Sequence, residues 1–129
     1  MALTSIRPVL NEFRVSEGTT SIGATPVAAQ AVMPCAGYVQ RVIAGAAGTT
    51  TGTITVAVAV NGGSDICNST LTIAAGTGAR AGTVVELPIV GAGSTSGVFV
   101  NEGDVVTFTP SGGGGASIGG AFALVCRQA

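Results

Sequence analysis

The residues of this chain that could carry chemistry are few and widely spaced. The three cysteines are Cys35, Cys67 and Cys126, and the sequence contains no histidine. This composition excludes catalytic arrangements that pair a Ser or Cys nucleophile with His, and also zinc sites with His ligands or with four thiolates. An odd number of cysteines excludes a complete disulfide framework within one chain. Buried free thiols are the favoured interpretation, because free Cys packs as a small apolar residue, and a single Cys35–Cys126 bridge is the alternative.

Three acidic residues stand in predicted turns, namely Asp65, Glu102 and Asp104. Calcium prefers clustered oxygen ligands, but Asp and Asn beside Gly are also good turn formers, and we favour the turn-forming role. The run Gly112–Gly115 lacks the Lys-Ser/Thr of a phosphate-binding loop and precedes no predicted helix, so it indicates a linker or tight packing. The run 44–52, AGAAGTTTG, predicts a flexible connection. We therefore expect no enzyme activity, no metal, no cofactor and no small-molecule substrate.

Charge is scarce in this sequence. Charged residues make up 9% of the 129, five Arg against six acidic residues, for a net charge of −1 and with no Lys. Scattered arginines do not supply the run of phosphate-neutralising cations that nucleic-acid binding requires. Mean hydropathy is +0.63, yet no apolar run approaches the length of a membrane span. The N-terminus does not have the pattern of a signal peptide. We expect synthesis in the cytoplasm and a surface largely covered by partners.

The most strongly patterned stretch is 53–60, TITVAVAV, which is followed at once by Asn61-Gly62-Gly63. Ile and Val at the even positions alternate with Thr and Ala at the odd positions. This alternation has the period of a pleated strand with one apolar face. Asn-Gly supplies the positive φ that a tight hairpin turn demands. The pattern predicts a central strand that turns back near Asn61.

Seven further runs have the composition of strands and are separated by Gly, Pro, Asn or Asp. They are 27–33, 38–44, 69–75, 83–90, 98–100, 104–110 and 119–127. Gln40 and Arg41 interrupt either face of 38–44, which indicates partial solvation or an interface. With 4% aromatics and 21 Gly, the core must consist of Val, Ile, Leu and Ala, which suits a thin sandwich. We predict an all-β fold, an antiparallel β-sandwich or jelly roll of about seven to nine strands with an extended N-terminal arm.

The first 33 residues differ from the rest of the chain. They hold four of the eleven charged residues and then a Ser/Thr/Gly/Ala stretch without a sustained period, and Arg7-Pro8 disfavours helix. We assign 1–33 to an N-terminal arm and 34–129 to a β-sandwich domain, with an ordinary first strand and loop as the alternative for the arm. The arm residues expected to contact a capsid or subunit neighbour are Ile6, Arg7, Val9, Leu10, Phe13 and Arg14.

Five stretches between residues 34 and 125 carry a resemblance to a known family. They are 38–44, VAVNGG at 58–63, LTIA at 71–74, AGTV at 81–84 and VFVNEGDVV at 98–106. Together they resemble the small decoration, or cement, proteins of tailed-bacteriophage heads. The resemblance implies a protein on the outside of the capsid, commonly a trimer at threefold or quasi-threefold positions, that ties neighbouring major capsid proteins together.

The functional expectation is therefore a structural virion protein and not an enzyme. Its implied partners are the major capsid protein and two further copies of itself, and its implied location is the outer capsid surface, with no nucleic acid or membrane bound. The residues agree with this, because a charge-poor β body with an apolar arm is equipped to make interfaces. Two alternatives remain open: another virion surface module, such as a fibre, spike or carbohydrate-binding head, and a filament-forming structural subunit.

Overall fold

The structure is a computed structural model, and it describes residues 12–67, 70–75, 82–86, 89–90, 95–96, 98–115 and 117–129. Every regular element in these ranges is a β-strand. The strands are β1 Glu12–Thr19, β2 Ala29–Val32, β3 Gly37–Ala46, β4 Ile54–Val60, β5 Leu71–Ile73, β6 Gly82–Glu86, β7 Ile89–Val90, β8 Thr95–Ser96, β9 Val98–Val100, β10 Val105–Ser111 and β11 Gly120–Gln128. Across these ranges we find no helix that is long and apolar enough to span a membrane.

Nine of the eleven strands form two antiparallel sheets. Sheet A has the order β1-β11-β3-β6, and β9 pairs with β3 on the same side as β6. Sheet B has the order β2-β10-β4-β5, and β7 and β8 pair as a separate ribbon. The chain repeatedly crosses between the sheets, so that the last strand lies between the first and the third. The predicted all-β antiparallel sandwich is confirmed.

Strand β4 is central, as its alternation predicts. It lies between β10 and β5, and its Ile and Val residues from 54 to 58 are buried. At its end Asn61 has φ 51° and Gly62 has φ 76°, and Gly63 N donates a 3.0 Å hydrogen bond to Val60 O. Two successive positive φ angles define the type I′ turn that matches the twist of antiparallel strands. The predicted hairpin turn is therefore confirmed.

The core lies between the inner faces of the two sheets. Most of its residues are Val, Ile, Leu and Ala, as the composition predicts. Two aromatic rings are exceptions: Phe108 of sheet B and Phe122 of sheet A stack with centroids 5.0 Å apart and planes 6° apart. Both rings are buried, so they join the two sheets at the centre of the sandwich.

The described part of the first 33 residues belongs to the sandwich. β1 pairs with β11 along its whole length, from Glu12 opposite Arg127 to Thr19 opposite Gly120, and β2 pairs with β10. The structure thus differs from the predicted division at residue 34. The physical reason is that Phe13 and Val15 pack against the core, so residues 12–19 follow the alternative of an ordinary first strand. Residues 1–11, where an arm stays a prediction, lie outside the described ranges.

The glycine-rich loop after β10 is a packed element. Gly52 N donates a 2.6 Å hydrogen bond to Gly113 O, and Gly112 has φ +88°. A Cβ on Gly113 would lie 2.7 Å from Ile22 O. Tight packing is therefore confirmed for 112–115. The flexible connection predicted at 44–52 is wrong, because residues 44–46 are the end of β3 and Gly52 is bonded to this loop.

Candidate interaction surfaces

One end of the sandwich, where β4 ends and β10 begins, is held together by side chains. We call it the Asn61 end. Asn61 Nδ2 donates to Asp104 Oδ1 over 3.0 Å, and Asn61 Oδ1 accepts from Val105 N over 2.9 Å. The second oxygen of Asp104 accepts from Asn101 N over 2.8 Å. These contacts join the turn after β4 to the turn before β10, and the donated hydrogen bonds from Asn101 and then Asn61 hold the pKa of Asp104 below its ordinary value.

The same turn is also bonded to the strand on its other side. Met33 N donates to Asp104 O over 2.8 Å, and Gly103 N donates to Met33 O over 2.9 Å. Three connections, those after β2, β4 and β9, therefore meet at Asp104. Glu102, at the tip of the turn between β9 and β10, is exposed, so this rigid end presents an acidic side chain to solvent.

Asp65 forms a second turn near this end. Its Oδ1 accepts from Val58 N over 3.2 Å and from Cys67 N over 3.0 Å. The turn-forming roles predicted for Asp65 and Asp104 are confirmed by these bonds to backbone N–H groups. In the described ranges no three His, Cys, Asp or Glu side chains are placed to hold a metal ion.

All three cysteines are free, which agrees with the favoured interpretation over a Cys35–Cys126 bridge, although that interpretation expected all three thiols to be buried. Only Cys126 is fully buried; Cys35 and Cys67 are partly buried. Burial, and then the neighbouring Cys35, raises the pKa of Cys126 to about 12. Burial, and then the charge and the hydrogen bond of Asp65, raises the pKa of Cys67 to about 11. Both thiols are therefore protonated and poorly nucleophilic near neutral pH.

A β-bulge in β3 changes which residues lie on the outer face of sheet A, the face turned away from the core. Arg41 pairs with Val125 and Val39 pairs with Cys126, so Gln40 is an extra residue in β3. Val39 and the residue at 42 are buried, whereas both positions between them are partly exposed. Because a bulge re-aims side chains, Gln40 and Arg41 both lie on the outer face. The sequence analysis predicted that Gln40 and Arg41 lie on opposite faces of the strand. That prediction is wrong, because the bulge puts both residues on the same face.

Val125 lies on this outer face between two arginines. Arg14 pairs with Val125 from β1, and Arg41 pairs with it from β3. Val125 is only 2% exposed although it does not belong to the core cluster between the sheets. The Arg14 side chain is 68% exposed, and its guanidinium lies 3.3 Å from Glu12 Oε1.

The adjacent row of the same face carries two aromatic rings. Arg127 pairs with Glu12 on one side and with Tyr38 on the other. Tyr38 in turn pairs with Phe99, and their rings meet edge to face with centroids 5.2 Å apart. Phe99 is 48% exposed, so a large apolar ring stands at the edge of this row.

These residues define a surface that we call the arginine face. It consists of Glu12, Arg14, Tyr38, Gln40, Arg41, Phe99, Val125 and Arg127. Every arginine of the described ranges lies on it. Glu86 of β6 is placed beside Arg41 by register. The sequence indicated only part of this surface, through Arg14 and the polar positions in 38–44.

The outer face of sheet B has the opposite character. Its positions alternate with the buried ones of β2, β10, β4 and β5, and they are Gln30, Val32, Thr55, Ala57, Ala59, Thr72, Val105, Thr107, Thr109 and Ser111. None of these ten carries a charge. Val32 is 62% exposed, and Gln30 Nε2 donates to Thr107 Oγ1 over 3.2 Å. We call this surface the uncharged face.

The predicted contact residues fall into two groups. Ile6, Arg7, Val9 and Leu10 lie outside the described residues. Phe13 is on the inner side of β1 and packs against the core, where a Cβ on Gly37 would lie 2.8 Å from its ring. Arg14 is on the arginine face. The structure therefore leaves Arg14 as the exposed member of the predicted set among the described residues.

Comparison with known proteins finds similarity at the level of structure. No family model matches the chain, and no curated protein matches it. Among solved structures, a chain of the Cyanophage Pam1 capsid asymmetric unit is similar, with a TM-score of 0.59 and 18% sequence identity. The likeness covers 98% of this chain and 93% of that chain. At this identity it shows a shared fold.

Proposed function

We propose that this protein is a structural virion protein: a decoration, or cement, protein that binds the outside of an assembled phage head. In this proposal it links neighbouring major capsid proteins, acts as a homotrimer and carries out no catalysis. The sequence resemblance to cement proteins and the structural likeness to a chain of a phage capsid asymmetric unit both support it.

The likeness to the Cyanophage Pam1 capsid chain is the observation that carries the proposal. It extends over nearly the whole length of both chains, so the two have nearly the same size and neither contributes a large domain that the other lacks. A single sandwich of this size that occurs in a capsid fits an accessory subunit of a shell.

The surfaces of the sandwich support a linking role. A protein that joins neighbours needs at least two separate contact surfaces, and the arginine face and the uncharged face lie on opposite sides of the molecule. Protein contact surfaces are typically depleted of Lys, Asp and Glu and enriched in Arg and aromatic residues. Binding to the assembled shell, but not to free subunits, would add the binding free energy to shell stability, and many copies would act together.

The test is co-sedimentation with the heads of the phage that encodes this chain. Heads prepared without the protein are mixed with purified protein and separated from free protein on a sucrose gradient. We expect saturable binding and a higher temperature of head disruption, because the ligand binds only the assembled state. Binding to dissociated capsid subunits with equal affinity, or no binding to heads, would contradict the proposal.

One observation favours a second function, a glycan-binding module of the virion surface. Phe99 is exposed and braced by Tyr38, and an exposed ring with apolar faces can stack on a sugar. A glycan array probed with the wild-type protein and with Phe99→Ala tests it. Binding of a defined glycan that the variant loses would favour this function over the cement role.

A further inference from the structure

The Asn61 end contains the only Asn-Gly pair of the sequence. The other three asparagines, Asn11, Asn68 and Asn101, precede Glu or Ser. An asparagine loses its side-chain amide as ammonia when the next backbone nitrogen attacks the side-chain carbonyl. Gly in the next position favours this attack, because it has no Cβ and the widest backbone freedom. Asn61 and Gly62 are both exposed, and a Cβ added to Gly62 would meet nothing within 4 Å, so water and the attacking nitrogen have free access.

The fold holds the reacting amide in place through both of its polar atoms. Asn61 Nδ2 donates to Asp104 Oδ1 over 3.0 Å, and Asn61 Oδ1 accepts from Val105 N over 2.9 Å. Nδ2 is the leaving group, so its bond to Asp104 must break before ammonia departs. Cγ must also reach the nitrogen of Gly62, whereas the two bonds hold the side chain against the neighbouring turn. The reaction therefore requires local opening of the Asn61 end.

We propose that Asn61 is a site of spontaneous deamidation, that its hydrogen bond to Asp104 holds the reaction back, and that the product cannot rebuild the Asn61 end. In the first step the nitrogen of Gly62 gives up its proton and bonds to Asn61 Cγ. The Cγ–Nδ2 bond breaks, and Nδ2 leaves as ammonia. Water then opens the cyclic imide at one of its two carbonyls and leaves aspartate or isoaspartate. The reaction consumes one water and needs no oxidant or reductant.

The product places a second carboxylate against Asp104. An oxygen takes the place of the donor that lies 3.0 Å from Asp104 Oδ1, and near neutral pH neither carboxylate has a proton to donate. Two like charges at this distance repel each other. Isoaspartate also adds one carbon to the main chain of a two-residue turn, the turn that the bond from Gly63 N to Val60 O closes. Both products therefore separate the turn after β4 from the turn before β10.

The damage is confined to one end of the molecule. The connections after β2, β4 and β9 meet at Asp104, through bonds to Met33 and Asn61, and these are the connections that come apart. The stacked Phe108 and Phe122 join the sheets at the centre of the sandwich and take no part. An altered molecule therefore stays folded with a loosened Asn61 end. The reaction needs only water, so it does not depend on the proposed function or on a partner.

The first experiment measures the rate. Protein is incubated at mildly alkaline pH in native buffer and in urea, and conversion at Asn61 is followed by mass spectrometry of the separated peptides. We expect conversion about tenfold or more slower in native protein, because two hydrogen bonds must open. Asp104→Ala should raise the native rate toward the rate in urea and leave the rate in urea unchanged. Gly62→Ala should slow conversion in urea, since a Cβ hinders the attack.

Val15→Ala is the matched control for the rate. Val15 packs against the core from β1, so this variant weakens the fold without touching the Asn61 end, and circular dichroism should show that each variant is folded in native buffer. Its native rate should equal that of the wild type. Equal rates for wild-type protein in native buffer and urea, or an equal acceleration by Val15→Ala and Asp104→Ala, would overturn the inference.

The second experiment tests the product with a swap of side chains. Asn61→Asp should lower the unfolding temperature by about 4 °C or more. Combining it with Asp104→Asn should recover most of that loss, because the carboxylate at position 61 then accepts from an amide at position 104 and the pair is restored in reverse. An Asn61→Asp variant as stable as the wild type, or a double variant no more stable than Asn61→Asp alone, would show that the proposed repulsion is wrong.

Discussion

Asn61 and Asp104, 43 residues apart in sequence, are joined by a 3.0 Å hydrogen bond from Nδ2 to Oδ1. They belong to two different turns, the one after β4 and the one before β10. Because Asn61 also bonds both the N–H and the C=O of Val105, the two turns form one rigid unit. Glu102, which is exposed, projects from that unit and is positioned by it.

Asn61→Ala should therefore destabilise the fold more than an exposed turn position normally does. The variant loses two side-chain hydrogen bonds and places Ala in a left-handed conformation, which together cost about 1–3 kcal/mol. Thermal unfolding followed by circular dichroism measures the loss. Ser64→Ala, an exposed position in the same connection, is the control, and an equal effect of both variants would contradict a joining role for Asn61.

Acidification should weaken the fold through Asp104. Hydrogen bonds from Asn101 and Asn61 lower its pKa below the ordinary 3.8, so its stabilising contribution is complete above about that pH and is lost as the pH falls through the lowered pKa. We expect the unfolding temperature of Asp104→Asn to be lower than that of the wild type at pH 7, with the difference shrinking toward pH 2. A difference that stays constant between these pH values would show that the carboxylate charge contributes nothing.

Thiol labelling should distinguish the cysteines in the native protein. With its pKa raised from 9.0 to about 12, Cys126 has a thiolate fraction at pH 8 on the order of a thousandfold below that of an ordinary thiol. We expect Cys126 to react with a disulfide reagent much more slowly in native protein than in urea, as followed by mass spectrometry of the labelled peptides. Labelling of Cys126 at the same rate in both conditions would contradict its burial.

The same raised pKa predicts a loss of stability in alkali. A thiol whose folded pKa lies above its unfolded value stabilises the fold fully below about pH 9 and ceases to do so as the pH rises through about 12. Cys126→Ala removes this dependence. The variant should have a flatter decline of unfolding temperature than the wild type above pH 9.

The stacked rings at the centre of the sandwich should dominate its stability. Phe108→Ala or Phe122→Ala removes a buried ring that joins the two sheets and should cost about 3–5 kcal/mol. Phe99→Ala is the matched control, because that ring is 48% exposed, and it should cost far less. Urea unfolding monitored by circular dichroism compares the three. Similar losses at Phe99 and Phe108 would contradict the assignment of the core.

Strand positions were predictable where the signal is local. β4 with its Asn61 turn, β9 and β11 follow from alternation and turn residues, which depend only on neighbouring positions. For β1, an ordinary first strand was only the alternative to the predicted arm. Only Phe13 and Val15 in EFRVSEGT are apolar, because an edge strand that is half covered needs few apolar residues to hold it.

Most of the arginine face could not be predicted from the sequence. Arg14, Arg41 and Arg127 come together only because β11 lies between β1 and β3, and pairing between distant segments has no local signature. The bulge at Gln40 adds a second reason, since it moves Arg41 to the face that simple alternation denies it. Tyr38 and Phe99 likewise meet through strand pairing.

The uncharged face differs from the arginine face in its response to ions. Dissolved salt shortens the range of electrostatic interactions to about 3 Å at 1 M, which weakens a contact made by the charged side chains of the arginine face. The uncharged face, which includes Gln30, Val32 and Thr109, has no charges for salt to screen. Burial of its apolar surface in a contact does not depend on charge. A shell contact made through the uncharged face would therefore persist in brine that weakens a contact made through the arginine face, so ionic strength alone could tell the two kinds of contact apart.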